Sequence, residues 1–271
     1  MNKESNEWKP ERYHEYGYFP GCVDFMDVEV KFTHLNKGDA DHASIAAASI
    51  KLLNYADIDP LVLDMNVFKC SGHDQLWQGN LEVYDALKEH NMRRLKESGI
   101  KILTCSCAEC YRTFAVDYDL PNTLGIKVEH ITQTLQGRGL KFKAPENVTV
   151  SYHDPCRLGR MMGEYEAPRD LIQLVDGATM VELENNKERA LCCGVSSMMY
   201  CNDATKAVRR KRLDQGTDAG IDIMLGGCPK CYMHMQCMLN EERMNPEEGH
   251  HHDYEMMDLM QFLVACLEDG K

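Results

Sequence analysis

The sequence lacks a long apolar run, since no segment reaches the roughly 18 apolar residues that a membrane-spanning helix needs. Residues 1–17 are charged and aromatic and contain no apolar core of the kind found in signal peptides. Positive charge is also scarce, with 30 Lys and Arg against 43 Asp and Glu and a formal net charge of −13. Nucleic acid is bound by basic surfaces, so we expect no nucleic-acid partner. We expect a cytoplasmic protein that does not insert into a membrane but can associate with one through partners.

Two cofactor signatures are also missing. The 271 residues contain neither the Gly-x-Gly-x-x-Gly fingerprint of dinucleotide-binding domains nor the closely spaced cysteine run of ferredoxins. A redox role would therefore require electrons from another polypeptide.

Cysteine, in contrast, is abundant, with 13 in the chain. A secreted scaffold held by disulfides would be shorter and would begin with a signal peptide. In a reducing compartment, clustered cysteines indicate metal or redox chemistry instead. With 44% hydrophobic residues, the chain can bury a core as one large domain or as two domains of about 130 residues each.

Short apolar runs alternate with helix-like stretches. Strands are predicted at residues 61–63, 100–103, 148–152, 180–183 and 221–225, and helices at residues 43–55, 80–97, 167–175 and 204–214. This alternation predicts an α/β fold with short parallel sheets. The cysteines follow the strands, where open α/β sheets usually bind their ligands.

The cysteine motifs occur twice. The offset is 122 residues between Cys70 and Cys192, and 121 residues for both members of the Cys-x-x-Cys pair that follows each of them. Cys22 and Cys156 lie 134 residues apart, which predicts a longer loop after Cys22. The near-constant offsets predict two copies of one α/β unit, joined near residues 141–147. The first-half set is Cys22, Cys70, Cys107 and Cys110, and the second-half set is Cys156, Cys192, Cys193, Cys228 and Cys231.

The second-half set has the chemistry of an iron–sulfur site, because such clusters are held by thiolates. Pro229 directly after Cys228 fits the first position of a helix. The partial positive charge of a helix N-terminus favours thiolate over thiol. A cubane [4Fe–4S] cluster uses four thiolates, and the adjacent Cys192 and Cys193 supply a fifth. Zinc and buried or redox-active thiols are the alternatives.

These motifs resemble those of the cysteine-rich CCG domain, the family that includes the B subunit of heterodisulfide reductase and related iron–sulfur proteins. The resemblance is carried by Cys156, Cys192-Cys193-Gly194 and Cys228-x-x-Cys231, and it extends back to Tyr18-Phe19-Pro20-Gly21-Cys22. It implies a degenerate CCG domain at residues 18–140 and an intact CCG domain with a C-terminal helix at residues 148–271. Residues 1–17 would then dock on a partner subunit or pack on their own domain. The resemblance also implies that the five second-half thiols hold a non-cubane [4Fe–4S] cluster.

The first half departs from the family pattern. Where Cys-Cys-Gly is expected, the chain has Cys70-Ser71-Gly72, and a hydroxyl is a poorer iron ligand than a thiolate. Its four thiols would hold zinc, a second [4Fe–4S] cluster or no metal. Cys105 and His73 lie close enough in sequence to serve as substitute ligands.

Several polar residues stand out near or beyond the cysteines. His153 and Arg157 flank Cys156 and are candidate catalytic residues, which would place a proton or an anionic substrate beside the cluster. The alternative is that they support the Cys156 loop. The consecutive histidines at 250–252 and the basic run at 209–212 are predicted as solvated surface, with an acidic-partner docking patch as the alternative for the basic run.

The resemblance implies an oxidoreductase subunit of a heterodisulfide-reductase-like complex. It would transfer electrons to or from a thiol or disulfide substrate, with flavin- and iron–sulfur-carrying subunits as partners. The alternative is a non-catalytic electron-relay or structural subunit with a zinc site in its N-terminal half. A zinc-only binding module is the third interpretation.

Overall fold

Eight short strands form two parallel sheets in the computed structural model, which describes residues 8–21, 23, 41–195, 201–249 and 251–268. The first sheet contains β1 Tyr16–Phe19, β2 Leu61–Val62, β3 Ile102–Cys105 and β4 Lys127–His130, in the order β2-β1-β3-β4. The second contains β5 Phe142–His153, β6 Val175–Met180, β7 Ile223–Gly226 and β8 Glu255–Asp258, in the order β6-β5-β7-β8. The two orders are the same, so the predicted α/β repeat is confirmed.

Helices connect these strands, as parallel neighbours require. The first half contains α1 His42–Tyr55, α2 His73–Trp77, α3 Leu81–Ser98, α4 Ala108–Arg112, α5 Leu120–Thr123 and α6 Ile131–Leu135. The second half contains α7 Gly159–Met162, α8 Glu166–Gln173, α9 Asp203–Asp218, α10 Pro229–Met244 and α11 Leu259–Ala265. Within the ranges given above, none of the helices has both the length and the apolar composition that a membrane crossing needs.

Four strands were misplaced or missed by the sequence analysis. The strand predicted at residues 180–183 is β6, which ends at Met180, and no strand was predicted at β1, β4 or β8. The strands β4, β6 and β8 pair on one side only, and their sequences lack the continuous apolar run of a buried central strand. The missed strand β1 is central in its sheet, and the edge strand β2 was predicted correctly. The predicted junction at residues 141–147 overlaps the start of β5, whose pairing with β6 shifts in register between Lys143 and Val148.

The missed strands β4 and β8 each lead into a helix that starts with a capping box. The His130 side chain accepts from the backbone of Thr132, and the Gln133 side chain accepts from the backbone N–H of His130. Asp258 and Gln261 repeat this arrangement at the start of α11. The spacing of Asp258 and Gln261 is a capping-box signal that could have located α11 from the sequence.

The two halves share their cores. One apolar cluster contains Leu103 of β3 and Met224 of β7, and the other contains Tyr18 of β1 and Leu225 of β7. The first and last helices also meet, since the side-chain amide of Gln261 donates to the backbone oxygen of Asp41 at 3.1 Å. Burial across the interface therefore stabilises the two sheets together.

The N-terminal segment packs on the first half over the part that is described. The Trp8 ring lies edge-on to Phe68, with 5.7 Å between the ring centroids. Of the two predictions for residues 1–17, this contact fits packing on their own domain, while docking on a partner stays a prediction.

The histidine run is not entirely solvated as predicted. His252 is buried, with Nδ1 at 2.5 Å from Glu242 Oε2 and Nε2 at 3.1 Å from Asp214 Oδ1. His251 is exposed, and residue 250 lies outside the described residues. Burial opposes protonation of His252, but the hydrogen bonds and charges of Glu242 and Asp214 outweigh it and raise its pKa. Burial likewise acts to raise the pKa of Glu242, but His252 and Arg210 outweigh it and lower that pKa.

We expect His252→Gln to lower the free energy of unfolding by about 2 kcal/mol near pH 6, because charge-assisted hydrogen bonds are lost. The folded-state pKa of His252 is raised, so the stability from its protonation is full below the unfolded pKa of about 6.5 and is lost as pH rises through the folded-state pKa. Urea unfolding at several pH values should show the deficit of His252→Gln shrinking above that point. His251→Gln is the control and should match wild type; a deficit of His252→Gln that grows with pH would contradict the assignment.

Candidate metal centre

Five thiols converge on one pocket at the carboxyl ends of β5 and β7. Cys156 follows β5, and Cys228 follows β7 as the residue that caps α10, with Pro229 in the first turn as predicted. The pocket has about 330 Å³ of empty space, part of it open to solvent. Its lining is Glu109, Pro155, Cys156, Arg157, Cys192, Cys193, Val195, Cys228, Lys230 and Cys231.

The sulfur atoms of this set are in contact with one another. The Cys193 thiol donates to the sulfur of Cys231 at 3.0 Å. Thiol hydrogen bonds also join Cys192 to Cys156 and to Cys193, and Cys228 to Cys231. None of the five second-half cysteines forms a disulfide. A compact group of free sulfurs is the donor set of an iron–sulfur cluster, so these residues fit that cofactor.

The glycine after the cysteine pair shapes this loop. Gly194 has a φ of +79°, in the left-handed region, and its N–H donates to the sulfur of Cys192 at 3.3 Å. A Cβ on Gly194 would lie 2.6 Å from the carbonyl oxygen of Thr205. The conformation and the close approach to α9 both require glycine at this position.

The first half repeats this geometry with an oxygen in place of one sulfur. Gly72 has a φ of +78° and donates to the sulfur of Cys70 at 3.4 Å. The Ser71 hydroxyl oxygen lies 3.5 Å from the sulfur of Cys110, as the counterpart of the sulfur–sulfur contact in the second half. The serine that breaks the sequence repeat therefore occupies the place of a thiol in three dimensions.

The two cysteine sets are adjacent. Cys107 and Cys110 are buried and joined by a thiol hydrogen bond, and Cys70 is half-buried. Another thiol hydrogen bond joins Cys107 to Cys228 of the second set. Cys22, the remaining member of the first-half set, lies outside the described residues. Spacing along the chain predicts each set but not this proximity.

The two suggested substitute ligands lie in different surroundings. Cys105 is fully buried at the end of β3. His73 is also buried, with Nδ1 at 3.0 Å from the Thr113 hydroxyl and Nε2 at 3.6 Å from Glu109 Oε1. Its ring nitrogens thus face partners other than the first-half thiols.

A buried ion cluster joins the two Cys-x-x-Cys turns. The ammonium of Lys230 lies 2.6 Å from Asp74 Oδ1 and 2.6 Å from Glu109 Oε2. Glu109 and Lys230 hold equivalent places in the two turns, 121 residues apart. Burial raises the pKa of Glu109 to about 7, against the opposing effect of Lys230. The equivalent positions of the two turns thus carry opposite charges, and the ion pair between Glu109 and Lys230 links the two halves beside the thiols.

The basic run at 209–212 is not wholly solvated surface, as had been predicted, because Arg209 and Arg212 are buried beneath the cysteine loop. Arg209 Nε donates to the carbonyl oxygen of Cys193 at 3.1 Å, and its Nη2 lies 3.0 Å from His234 Nδ1. Arg212 Nε donates to Nδ1 of His153 at 3.0 Å. Residues three apart share one face of a helix, which is the signal that sequence reasoning missed.

His153 lies beside the sulfurs, and Arg212 determines which of its ring nitrogens carries the proton. A guanidinium only donates, so Nδ1 of His153 accepts and the neutral ring carries its proton on Nε2. Burial, with the charge of Arg212, lowers the pKa of His153 to about 3. One ring nitrogen of His153 and the sulfurs of Cys193 and Cys231 all lie within 4.8 Å of one another. Arg157, the other candidate catalytic residue, lines the pocket itself.

Each half of the molecule matches the same known family. A family model of the CCG cysteine-rich domain matches residues 16–115 and 150–236. The chain belongs to the CCG cysteine-rich domain family. The family model matches once in each half of the chain, so the resemblance drawn from the cysteine motifs is confirmed.

The CCG chain is similar to components of larger reductases. It is 32% identical over 213 residues to the D subunit of dihydromethanophenazine:CoB–CoM heterodisulfide reductase from Methanosarcina barkeri, which covers 74% of this chain and 52% of that relative. It is 26% identical over 258 residues to the B subunit of fumarate reductase (CoM/CoB) from Methanothermobacter marburgensis, with coverages of 93% and 46%. The chain spans about half the length of the curated relatives it matches. The heterodisulfide reductase match is to the D subunit, whereas the cysteine motifs had suggested the B subunit.

Among solved structures, the chain resembles a hypothetical protein from Helicobacter pylori, with a TM-score of 0.61 and 9% identity. The match covers 100% of this chain and 52% of the other. At this identity the likeness concerns the fold alone.

We expect Gly194→Ala to lower the free energy of unfolding by about 2 kcal/mol more than Gly220→Ala, because the added Cβ overlaps the backbone of α9. Gly220 is the matched control, since its φ is +62° but no atom lies within 4 Å of a Cβ there. Urea unfolding measures both losses. Equal losses would mean that backbone strain, rather than the close approach, explains the glycine.

We expect Lys230→Met to lower the free energy of unfolding by about 3 kcal/mol, because it leaves buried carboxylates without their counter-charge. Adding Glu109→Gln to Lys230→Met should recover part of this loss. Lys211→Met, at an exposed position of α9, is the control and should have little effect. The ion cluster would be unimportant if both lysine variants unfolded like wild type.

Proposed function

We propose that this chain is an iron–sulfur redox subunit of a heterodisulfide-reductase-like complex. The observation that carries the proposal is the single pocket lined by all five second-half thiols, each of them free. Structural zinc takes four ligands, whereas five thiolates suit a [4Fe–4S] cluster of the non-cubane type. The reductase subunits among the relatives support the same conclusion.

For the first half we propose zinc or a second [4Fe–4S] cluster on Cys22, Cys70, Cys107 and Cys110. The Ser71 oxygen stands where the second half has its fifth sulfur. Four thiols are then left, which is the number that tetrahedral zinc or a cubane cluster takes. The two halves would thus carry different groups.

The proposed reaction converts a disulfide to two thiols, or the reverse. Cleavage of one S–S bond takes up two electrons and two protons. The reverse reaction, oxidation of two thiols to a disulfide, releases two electrons and two protons. The cluster, when bound, supplies the electron-transfer centre beside the substrate. His153 would hold its Nε2–H against the sulfurs of Cys193 and Cys231. Because Arg212 occupies the other ring nitrogen, His153 would support the site and would not deliver a proton. The protons would then come from water.

Electrons would come from, or pass to, partner subunits that carry flavin or ordinary iron–sulfur clusters. The sequence has no dinucleotide fingerprint and no ferredoxin cysteine run, which supports this division of labour. We further propose a cytoplasmic location, with any membrane contact made by the partners.

A second candidate function is a non-catalytic relay or structural subunit, in which the cluster only passes electrons. The loss of one thiol at Ser71 favours it, because the two halves no longer offer matching sites to one disulfide. The EPR spectrum of the oxidised protein with and without added thiol separates the two functions. A thiol-dependent change supports substrate binding, and an unchanged spectrum supports the relay.

We expect anaerobic purification to yield about four irons and four sulfides per chain from the second-half site. Cys193→Ser should lower the iron content, because a hydroxyl replaces a sulfur that contacts Cys231. Cys266→Ser, which changes a buried thiol of the second core cluster that belongs to neither cysteine set, is the control and should keep its iron. Protein that contains zinc but no iron would refute the proposed function.

A further inference from the structure

Arg157 is a cation without a carboxylate partner in the wall of the thiol pocket. Its Nη1 lies 3.1 Å from the sulfur of Met161, and its Nε is buried without a hydrogen-bond partner. No carboxylate oxygen of the described residues lies within 4.0 Å of it. By contrast, Arg112 is paired with Asp117, and Arg169 with Asp154. In a chain of net charge −13, an arginine left without an acid is free to bind an anionic ligand.

Trp77 of the first half holds this arginine in place. The guanidinium carbon of Arg157 lies 3.8 Å from the centroid of the Trp77 ring, and that of Arg112 lies 5.3 Å from it. Trp77 is 43% exposed, so the stacked pair is accessible to solvent. A guanidinium stacked on an indole keeps a fixed plane, so its remaining N–H groups can donate to an anionic ligand in a fixed direction.

The acidic side chain in the same pocket is already neutralised. Glu109 lines the pocket, but its Oε2 lies 2.6 Å from Lys230 and its Oε1 lies 3.6 Å from His73. Lys230 is in turn occupied by Glu109 and Asp74. Among the described residues that line the pocket, Arg157 is therefore the cation without a carboxylate partner.

We propose that Arg157, stacked on Trp77, binds the acidic group of a thiol or disulfide substrate whose sulfur enters the thiol pocket. This inference rests on the proposed function, because it takes the pocket lined by Arg157 and the cysteines as the place of sulfur chemistry. The substrate class is a thiol with a carboxylate-like group, as distinct from a neutral thiol. The first half, with one ligand position lost at Ser71, would contribute Trp77 to the substrate site of the second half.

The test compares 3-mercaptopropionate with its neutral amide, 3-mercaptopropanamide, on anaerobically purified full-length protein. The chain has two tryptophans, so a Trp8→Phe background leaves Trp77 as the fluorescent reporter of binding. We expect the acid to bind at least about tenfold more tightly than the amide, since a charge-assisted hydrogen bond is available to it alone. Arg157→Gln should abolish this preference and leave the affinity for the amide unchanged. Arg157→Lys, which keeps the charge but not the planar fork, should retain part of it.

Arg93→Gln, at an exposed position of α3, is the matched control for loss of one positive charge and should keep the full preference. Equal affinities for acid and amide in the Trp8→Phe protein would overturn the subsite. So would an Arg157→Gln protein that loses iron but keeps the preference, because Arg157 would then serve the cluster. These results differ from failure of the proposed function, which is an absence of iron or an EPR spectrum that neither thiol changes.

Discussion

A buried lysine connects the two halves of this molecule at the place where their cysteines meet. Lys230 lies inside the second Cys-x-x-Cys turn and reaches Glu109 at the equivalent place of the first turn. Breaking such a pair leaves an uncompensated buried charge, so the contact strongly disfavours any arrangement that separates the turns. The closeness of Cys107 to Cys228 and the composition of the pocket wall both depend on this contact.

Within the cysteine motifs, the two copies of the duplicated unit differ at positions that decide their chemistry. Both halves keep the strand order, the left-handed glycine after the cysteine motif and the N–H that donates to a sulfur. A hydroxyl at Ser71 replaces a thiol, and opposite charges occupy one position of the two Cys-x-x-Cys turns. The scaffold thus preserves the geometry of a ligand site in both copies, while donor chemistry makes one copy the stronger candidate for a cluster.

Positive charge lies beneath the intact motif as well as around it. Arg209 and Arg212 are almost completely buried on one face of α9, and they contact the Cys193 carbonyl and the His153 ring. Their charges would offset the negative charge of a thiolate-bound cluster in a low-dielectric setting, where such interactions are strong. The basic run of α9, which the sequence suggested to be solvated surface, is therefore partly buried and contacts the cysteine loop through Arg209.

The sequence by itself determined the α/β class, the duplication and the five-thiol set, because spacing and alternation can be observed directly along the chain. The central strands β3, β5 and β7 were found by their apolar runs. The edge strands β4 and β8, which lack such a run, and the central strand β1 were missed. Only the tertiary structure decided that Lys230 meets Glu109 and that Arg157 stacks on Trp77. Such contacts join residues far apart in the chain, and they form only when the two sheets pack against each other, so no local pattern carries them.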